Sequence, residues 1–259
     1  MIKNIKLKIK NTIPILKLAI PLITTLIAQI GMELTDTIMI GKIGVIHLAA
    51  MAISGTSYTT IIMLCIGVLT SVGVLISHEI GKNNHKNIEK NLFHGICLSL
   101  FLSIPTIILI WFTPNILYII GENQQIIELS ETYLYATIWG LPGFLCFITL
   151  REYTAALRYP NFIMLISIIA LPINALLNYL LIYGFFNFEP FGISGAGYAS
   201  SIVDWIMFLS LTFTIIIKKK KEISIFIKIK HKIQLYIIKE MLKIGLPVGI
   251  MFSCEIGLF

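Results

Sequence analysis

Charged residues are scarce in this sequence. They make up 13% of the 259 residues, whereas 57% are hydrophobic and the mean hydropathy is +0.89. A water-soluble domain carries roughly 25% charged residues to solvate its surface, so this composition excludes an ordinary soluble protein. We expect an all-α polytopic membrane protein, because long apolar segments in a bilayer satisfy their backbone polar groups by forming helices.

Motifs for catalysis and for cofactor binding are also missing. The four cysteines, Cys65, Cys97, Cys146 and Cys254, each lie in an apolar run without CxxC or Cys/His spacing, so we interpret them as core residues. The sequence has no Walker A pattern, no GxGxxG and no nucleophile–base constellation. We therefore expect neither an enzyme nor an ATP-driven pump, and no cofactor. The net charge of +7 requires no nucleic acid, since basic residues beside a membrane meet anionic lipid.

Long apolar runs are abundant, and each is a candidate span. A bilayer core of ~30 Å requires ~20 apolar residues in a helix. The windows that meet this requirement are 16–41, 47–77, 92–120, 126–150, 160–184 and 192–217. A seventh helix is expected to begin near residue 244 and to be still running at Phe259. The sequence thus predicts a six-helix lobe (1–217), a basic cytoplasmic loop (218–243) and a truncated seventh helix (244–259).

The basic residues predict the orientation of the chain. If every window spans the membrane, all of the 20 Lys and Arg residues except Lys42 fall on one side. The positive-inside rule makes that side cytoplasmic, so we expect a cytoplasmic amino terminus in a plasma (inner) membrane. Within 218–243, lysines mixed with apolar residues predict an interfacial amphipathic stretch. We interpret Tyr133, Tyr135 and Trp139 as interfacial aromatics, with a drug-stacking group as the alternative.

Four carboxylates fall inside the predicted helices: Glu33, Asp36, Asp204 and Glu255. A charged side chain at the centre of a span costs roughly 2.5–3.5 kcal/mol and persists mostly where it faces a cavity or a partner. No lysine or arginine lies deep in a span to pair with them. The expected compensation is polar neighbours, water or a bound cation, which is chemistry suited to binding and releasing protons or sodium.

Depth counting places four polar side chains together. From the ~1.5 Å helical rise, Asp36 and Asn178 lie within ~2 Å of the same level, with Asn174 one turn deeper and Ser200 close to that level. Asn174 and Asn178 share one helix face, and Pro172 is expected to unwind their helix locally and free carbonyl oxygens. Such oxygens suit a proton or Na⁺. The alternative is an interhelical hydrogen-bond cluster that serves packing alone.

The remaining features inside the spans are less specific. Glu33 lies one turn from Asp36, so two carboxylates facing one cavity would share a proton as a coupled pair. Asp204, near the middle of the sixth span, either lines a cavity or forms hydrogen bonds within the helix packing. Glu255 lies near the middle of the seventh helix. Pro142 is expected to kink the fourth span.

Five stretches of the sequence carry a family resemblance. They are LAIPLITTLIAQIGMELTDTIMIGKIG, GLPGFLCFITLREYTAAL, INALLNYLLIYG, GISGAGYASSIVDWIM and IGLPVGIMFSCEIGLF, in helices 1, 4, 5, 6 and 7. In this order and spacing they resemble the multidrug and toxic compound extrusion (MATE) family, closest to its bacterial NorM-type branch. The resemblance implies a cation-coupled antiporter, driven by H⁺ or Na⁺, that exports cationic amphipathic drugs or dyes by alternating access between two six-helix lobes.

The resemblance also implies roles for individual residues. Asp36 matches the acidic residue of the amino-terminal cation site, Asn174 and Asn178 match its polar partners, and Ser200 stands where the family usually has a threonine. Glu255 matches the glutamate of helix 7 in the second lobe. A possible Na⁺ site is therefore expected at Asp36, Asn174 and Asn178, with no other metal.

The chain also departs from the family pattern. Family members have twelve helices, and this chain ends inside helix 7, so we expect a truncated form that needs a second lobe or a second copy as partner. Glu33 and Asp204 stand where relatives usually have uncharged residues. Two alternatives stay open: a related flippase for lipid-linked sugars, which would need basic residues inside the lobe to hold phosphate, and a non-transporting remnant.

Overall fold

The computed structural model describes residues 2–184, 189–218 and 233–257, with only the helical backbone described for residues 2–15. In these ranges every regular element is an α-helix. The helices are α1 (Ile2–Gly41), α2 (Val45–Gly81), α3 (His85–Ile120), α4 (Gln124–Thr137), α5 (Leu141–Ala156), α6 (Pro160–Tyr183), α7 (Ile193–Lys218) and α8 (Leu235–Gly257). The predicted all-α fold class is confirmed.

Six membrane spans can be assigned among the described helices. Five helices, α1, α2, α3, α6 and α7, are each long and apolar enough to cross a bilayer, and the bent pair α4–α5 provides a sixth span. Large apolar side chains cover the outer faces, for example Leu26, Ile30 and Phe101. Such a surface is compatible with lipid rather than with water. The chain is therefore a multi-pass membrane protein.

The fourth span is broken, which corrects the single helix predicted over 126–150. Helices α4 and α5 meet at an angle of 54°. Pro142 lies in the first turn of α5, where its missing N–H removes a hydrogen bond that a continuous helix would need. Donors from α7 compensate: Ser201 Oγ donates to the Ala136 carbonyl at 2.8 Å, and Trp205 Nε1 donates to the Trp139 carbonyl at 2.9 Å.

The core of the bundle is centred on α5. From Leu141 to Thr154 most residues of this helix are buried, because α2, α3 and α7 pack around it. Many buried hydroxyls are satisfied within their own helices, as when Ser54 Oγ donates to the Ala50 carbonyl at 2.6 Å. A hydroxyl that bonds the preceding turn places no unpaired polar group in the apolar interior.

Helix α8 begins at Leu235, earlier than the position near 244 that hydropathy indicates. Lys239, Glu240 and Lys243 lie on its exposed side, so they lower the mean hydropathy without interrupting the helix. The amphipathic stretch expected within 218–243 falls mostly at residues 219–232, which lie outside the described residues.

Two close contacts fix α8 against the lobe. Its backbone touches that of α2, since a β-carbon at Gly67 would collide with Gly249, and one at Gly249 would collide with the Leu64 carbonyl. The buried ring of His94 on α3 ties down its beginning. His94 Nδ1 lies 2.7 Å from the Lys90 carbonyl, and Nε2 accepts a hydrogen bond from the Gln234 backbone N–H at 2.9 Å. Helix α8 therefore packs as part of the lobe.

The α2–α8 crossing predicts different costs for alanine at two glycines. Gly249→Ala should lower the thermal unfolding temperature of the purified chain in detergent, by the equivalent of about 1–3 kcal/mol, because the added methyl group forces the helices apart. Gly55→Ala is the matched control, since nothing lies within 4 Å of its added carbon. We expect it to be neutral or stabilising through helix propensity. Equal unfolding temperatures for Gly249→Ala and Gly55→Ala would contradict the close contact between α2 and α8.

Candidate functional site

The acidic side chain of Asp36 points into the bundle. It belongs to the buried stripe of α1, which comprises Pro21, Thr25, Ala28, Asp36 and Ile40. Their spacing of three, four or eight residues keeps one face of the helix turned inward. Helix α1 packs chiefly against α6, and only 5% of the Asp36 surface is exposed. The same periodicity that buries the apolar residues of α1 therefore buries a carboxylate.

Three side chains from two other helices surround this carboxylate. Asn178 Nδ2 donates to Asp36 Oδ1, and Ser200 Oγ donates to Asp36 Oδ2 at 3.1 Å. Asn178 Nδ2 also donates to Asn174 Oδ1 at 3.2 Å. We call Asp36, Asn174, Asn178 and Ser200 the Asp36 cluster. The structure thus brings together the four residues that depth counting placed at a similar level.

The Asp36 cluster is rich in oxygen and has an unused acceptor. Asn178 Oδ1 is buried and has no hydrogen-bond partner among the described residues. The ion pairs of the described part of the chain involve Glu79 and Glu152, and none involves Asp36. A buried carboxylate with neutral amide and hydroxyl neighbours matches the oxygen ligands that hard cations prefer, and it equally suits a proton.

Helix α6 supplies the two asparagines without a break. It runs continuously from Pro160 to Tyr183 with Pro172 inside it, so the expected local unwinding at Pro172 is wrong. A proline in a membrane helix is tolerated where neighbouring helices and side chains compensate for the lost bond. Asn174 and Asn178 are 1% and 0% exposed, and their spacing of four points both at α1. The Asp36 cluster is therefore built from side chains.

Two of the acidic residues singled out from the sequence lie apart from the Asp36 cluster. Glu33 is exposed, and its carboxylate has no hydrogen bond to a described residue, although it interacts electrostatically with Asp36. Glu255 is exposed on α8, which packs against α2 and α3. No hydrogen bond among the described residues links it to Asp36. The structure therefore joins neither side chain to the four clustered residues.

Asp204 and Tyr133 are closer to the Asp36 cluster. Asp204 is half-buried on α7, one turn beyond Ser200. Tyr133 is only 7% exposed, so its interpretation as an interfacial aromatic is wrong, whereas Trp139 is 70% exposed. Tyr133 belongs to a buried stripe of α4 that includes Ser130 and Thr137. The spacing of three and four residues between Tyr133 and these small polar residues is the sequence pattern that could have predicted the inward position of Tyr133.

Comparison with known proteins identifies the family. The MatE family profile matches residues 21–180 of the sequence, which includes both Asp36 and the two asparagines. The chain belongs to the MatE family. This assignment agrees with the resemblance found from the five sequence stretches.

Two of the curated relatives that the chain matches are bacterial proteins named for multidrug resistance. NorM of Aliivibrio fischeri is 30% identical over 96% of this chain and 54% of its own length. A probable NorM of Pasteurella multocida is 30% identical over 95% of this chain and 53% of its own length. The chain thus spans about half the length of the curated relatives it matches.

Solved structures share the fold. The chain superposes on a eukaryotic MATE transporter with a TM-score of 0.84 and 18% identity, covering 96% of this chain and 54% of the other. A MOP superfamily transporter from Pyrococcus furiosus gives a TM-score of 0.80 and 22% identity, covering 92% and 52%. The MatE lobe of this chain therefore has the same helical arrangement as half of each of these proteins.

The hydrogen bonds of the Asp36 cluster predict a stability difference between two neighbouring acids. Asp36→Leu should lower the thermal stability of the purified MatE chain by about 1–3 kcal/mol, because the Asn178 amide and the Ser200 hydroxyl lose a buried acceptor. Glu33→Leu, the matched control on the same helix, should be neutral or slightly stabilising, since it removes an exposed carboxylate. Thermal unfolding in detergent compares the two. A larger loss in Glu33→Leu would contradict the described packing.

Proposed function

We propose that this chain acts in cation-coupled multidrug efflux, as a lobe of an antiporter that exports cationic amphipathic compounds. The observation that carries the proposal is the Asp36 cluster: a carboxylate buried among two amides and a hydroxyl, with no basic partner among the described residues. The family membership and the NorM relatives, named as multidrug resistance proteins, support it.

The coupling ion in this proposal is H⁺ or Na⁺, held at Asp36. A proton would neutralise the carboxylate, and Ser200 and Asn178 would keep their hydrogen bonds to it. Sodium would instead be held by oxygens of Asp36, Asn174 and Asn178, and a rotation of the Asn178 amide would turn its unpartnered Oδ1 toward the ion. Either event removes a negative charge from a low-dielectric site, where charge differences have large effects.

Antiport follows if the ion and the drug stabilise different states of the lobe. A ligand shifts a conformational equilibrium only by its differential affinity for the two states. Export by alternating access requires movement of one lobe against another around a central site. The proposal therefore includes a second lobe or a second copy as partner, and it assigns Glu255 on α8 to that part of the site.

The orientation in the proposal follows from the basic residues. We infer a cytoplasmic amino terminus in the plasma (inner) membrane, since all basic residues but Lys42 fall on one side of the assigned spans. Lipid-linked sugar transport is not favoured, because a phosphate would need basic side chains and the Asp36 cluster has none.

Ion binding to the lobe is the first test. If the site takes Na⁺, isothermal titration of the purified chain with Na⁺ should report one site, and a pH indicator should record proton release on Na⁺ addition. If the site takes only H⁺, acidification should give uptake of one proton at that site, and Na⁺ should give no signal. Asp36→Asn should remove the signal, because the neutral amide cannot exchange a proton or balance a cation. Glu240→Gln, an exposed carboxylate on α8, is the matched control and should leave the signal unchanged. An unchanged signal in Asp36→Asn would overturn the assignment of Asp36.

Transport is the second test. The chain is reconstituted into liposomes, and movement of a fluorescent cationic dye is followed after an imposed proton or sodium gradient. We expect gradient-dependent dye movement that Asp36→Asn reduces by at least about tenfold, since an energetic coupling of ~1.4 kcal/mol corresponds to that factor. Dye retention that is independent of the gradient and unchanged in Asp36→Asn would overturn the antiporter proposal for this chain.

A further inference from the structure

A buried histidine lies where α8 joins the lobe. His94 of α3 is 0% exposed and takes no part in the Asp36 cluster. In the orientation inferred above, α3 begins on the cytoplasmic side at His85, so His94 lies about 14 Å along the helix from that end. His94 is thus a titratable side chain in the cytoplasmic half of the lobe that the proposed transport does not use.

Both ring nitrogens of His94 bind backbone groups whose roles are fixed. The Lys90 carbonyl, 2.7 Å from Nδ1, can only accept a hydrogen bond, so Nδ1 carries the proton. The Gln234 N–H, 2.9 Å from Nε2, can only donate, so Nε2 keeps its lone pair. The two bonds together are possible only for the neutral ring with its proton on Nδ1.

The Gln234 N–H belongs to the start of α8. Gln234 directly precedes the helix, and its carbonyl accepts from the Ile237 N–H at 3.0 Å. N–H groups at the start of a helix have no acceptor inside it, so the His94 ring supplies one. The flanking residues Ile233 and Leu235 are 59% and 77% exposed. The imidazole therefore fastens a largely exposed helix start to α3.

Protonation of His94 would break this bond for two reasons. The imidazolium carries a proton on both nitrogens, so Nε2 would face the Gln234 N–H as donor against donor. Its positive charge would also lie at the amino-terminal end of α8, where the helix dipole disfavours a cation. The side-chain Oε1 of Gln234 is buried and has no partner among the described residues. This oxygen can accept the new Nε2–H once the backbone N–H has moved away.

Charged side chains on α3 and α8 do not favour the imidazolium. Lys90 is half-buried one turn from His94 on the same face of α3, so its positive charge opposes protonation. On α8, Lys239 and Glu240 are exposed and opposite in sign. Residues 219–232 lie outside the described ones. Neither helix thus offers a described acid that would hold the protonated ring in place.

The cytoplasmic ends of α2 and α5, which also pack on α3, carry acids that already have partners. Glu79 of α2 lies 3.7 Å from Lys82 Nζ, and Glu152 of α5 lies 3.1 Å from Arg151 Nη2. Tyr153, buried on α5, is uncharged. Helix α4 follows the far end of α3 and packs on its other half. The described structure therefore shows no ion pair that would compensate a charged His94.

We propose that His94 is a pH-sensitive latch, which holds the start of α8 against α3 while its ring is neutral and releases it when the cytoplasm acidifies. Ile237 and Met241 are buried, and the glycine crossing with α2 holds α8 further along. Release therefore loosens the first turn of α8 and the connection that enters it. The latch goes beyond the proposed function, since it uses the inferred orientation but not the coupling ion.

Nitrogen-15 NMR of the purified chain in lipid nanodiscs tests the ring itself. In a sample labelled at histidine, His94 should show the Nδ1–H tautomer at neutral pH and gain a second proton between about pH 8 and about pH 5. Its signal is the one missing from His94→Gln. If that variant does not fold, replacing the other four of the 5 histidines identifies it. An Nε2–H tautomer at neutral pH, or a ring still neutral at about pH 5, overturns the proposal.

Hydrogen exchange of the Gln234 N–H tests the latch. In a sample labelled with nitrogen-15 glutamine, its protection factor should fall by about tenfold per pH unit once the ring titrates, because opening takes up one proton. His94→Gln should stay protected at low pH, since its amide oxygen accepts at any pH, and His94→Phe should be unprotected throughout. His85→Gln, an exposed histidine on the same helix, is the matched control and should respond like the unaltered chain. Constant protection in the unaltered chain while the ring gains its proton overturns the proposal.

Asp36→Asn separates the latch from the proposed function, because Asp36 is the rival proton acceptor. The variant should keep the pH response of the Gln234 N–H. If that response is lost in Asp36→Asn but kept in His94→Gln, the latch is wrong and the proposed function stands. If the response follows His94 while ion binding ignores Asp36, the proposed function is wrong at its coupling site and the latch stands.

Discussion

The buried carboxylate of Asp36 is the constraint on which the arrangement of this lobe depends. A charge-bearing group inside a lipid-facing bundle needs polar partners, and the partners here come from α6 and α7. Helix α1 has few contacts with α7, and the bond from Ser200 is among them. Nearer the end of α1, Tyr183 Oη donates to the Met39 carbonyl at 2.8 Å and adds a second polar link to α6. Hydrogen bonds, in addition to apolar burial, thus join α1, α6 and α7 near the level of Asp36.

Hydropathy and charge predict the fold well, because the bilayer determines both the apolar length of each span and the side on which basic residues lie. Apolar length and the one-sided distribution of lysine and arginine lead to six spans and to their alternation. They do not report backbone continuity. The α4–α5 break depends on Pro142 and on hydrogen-bond donors from α7, which a mean over a window cannot register. The start of α8 was missed for a related reason: Lys239, Glu240 and Lys243 lower the mean although they all face one side.

The site is predictable where it depends on depth and helical period, and not where it depends on packing. Counting residues places Asp36, Asn178 and Ser200 at one level, and the structure joins them by hydrogen bonds. The count cannot separate Glu33 from Asp36, since three residues turn a helix by 300° and leave the two side chains ~60° apart. That small rotation decides which acid is buried. The inward position of Tyr133 depends likewise on how α4 meets α7.

The chain distance between Asp36 and its partners has a consequence for biosynthesis. Asn178 follows Asp36 by 142 residues and Ser200 follows it by 164. The ribosome therefore delivers the acidic helix long before the two helices that complete its polar environment, and the roughly 2.5–3.5 kcal/mol insertion cost of its carboxylate is uncompensated in the meantime. Until α6 and α7 arrive, the Asp36 carboxylate lacks the hydrogen-bond partners that it has in the folded lobe. The polar environment of α1 is thus complete only when the last two spans of the lobe are in place.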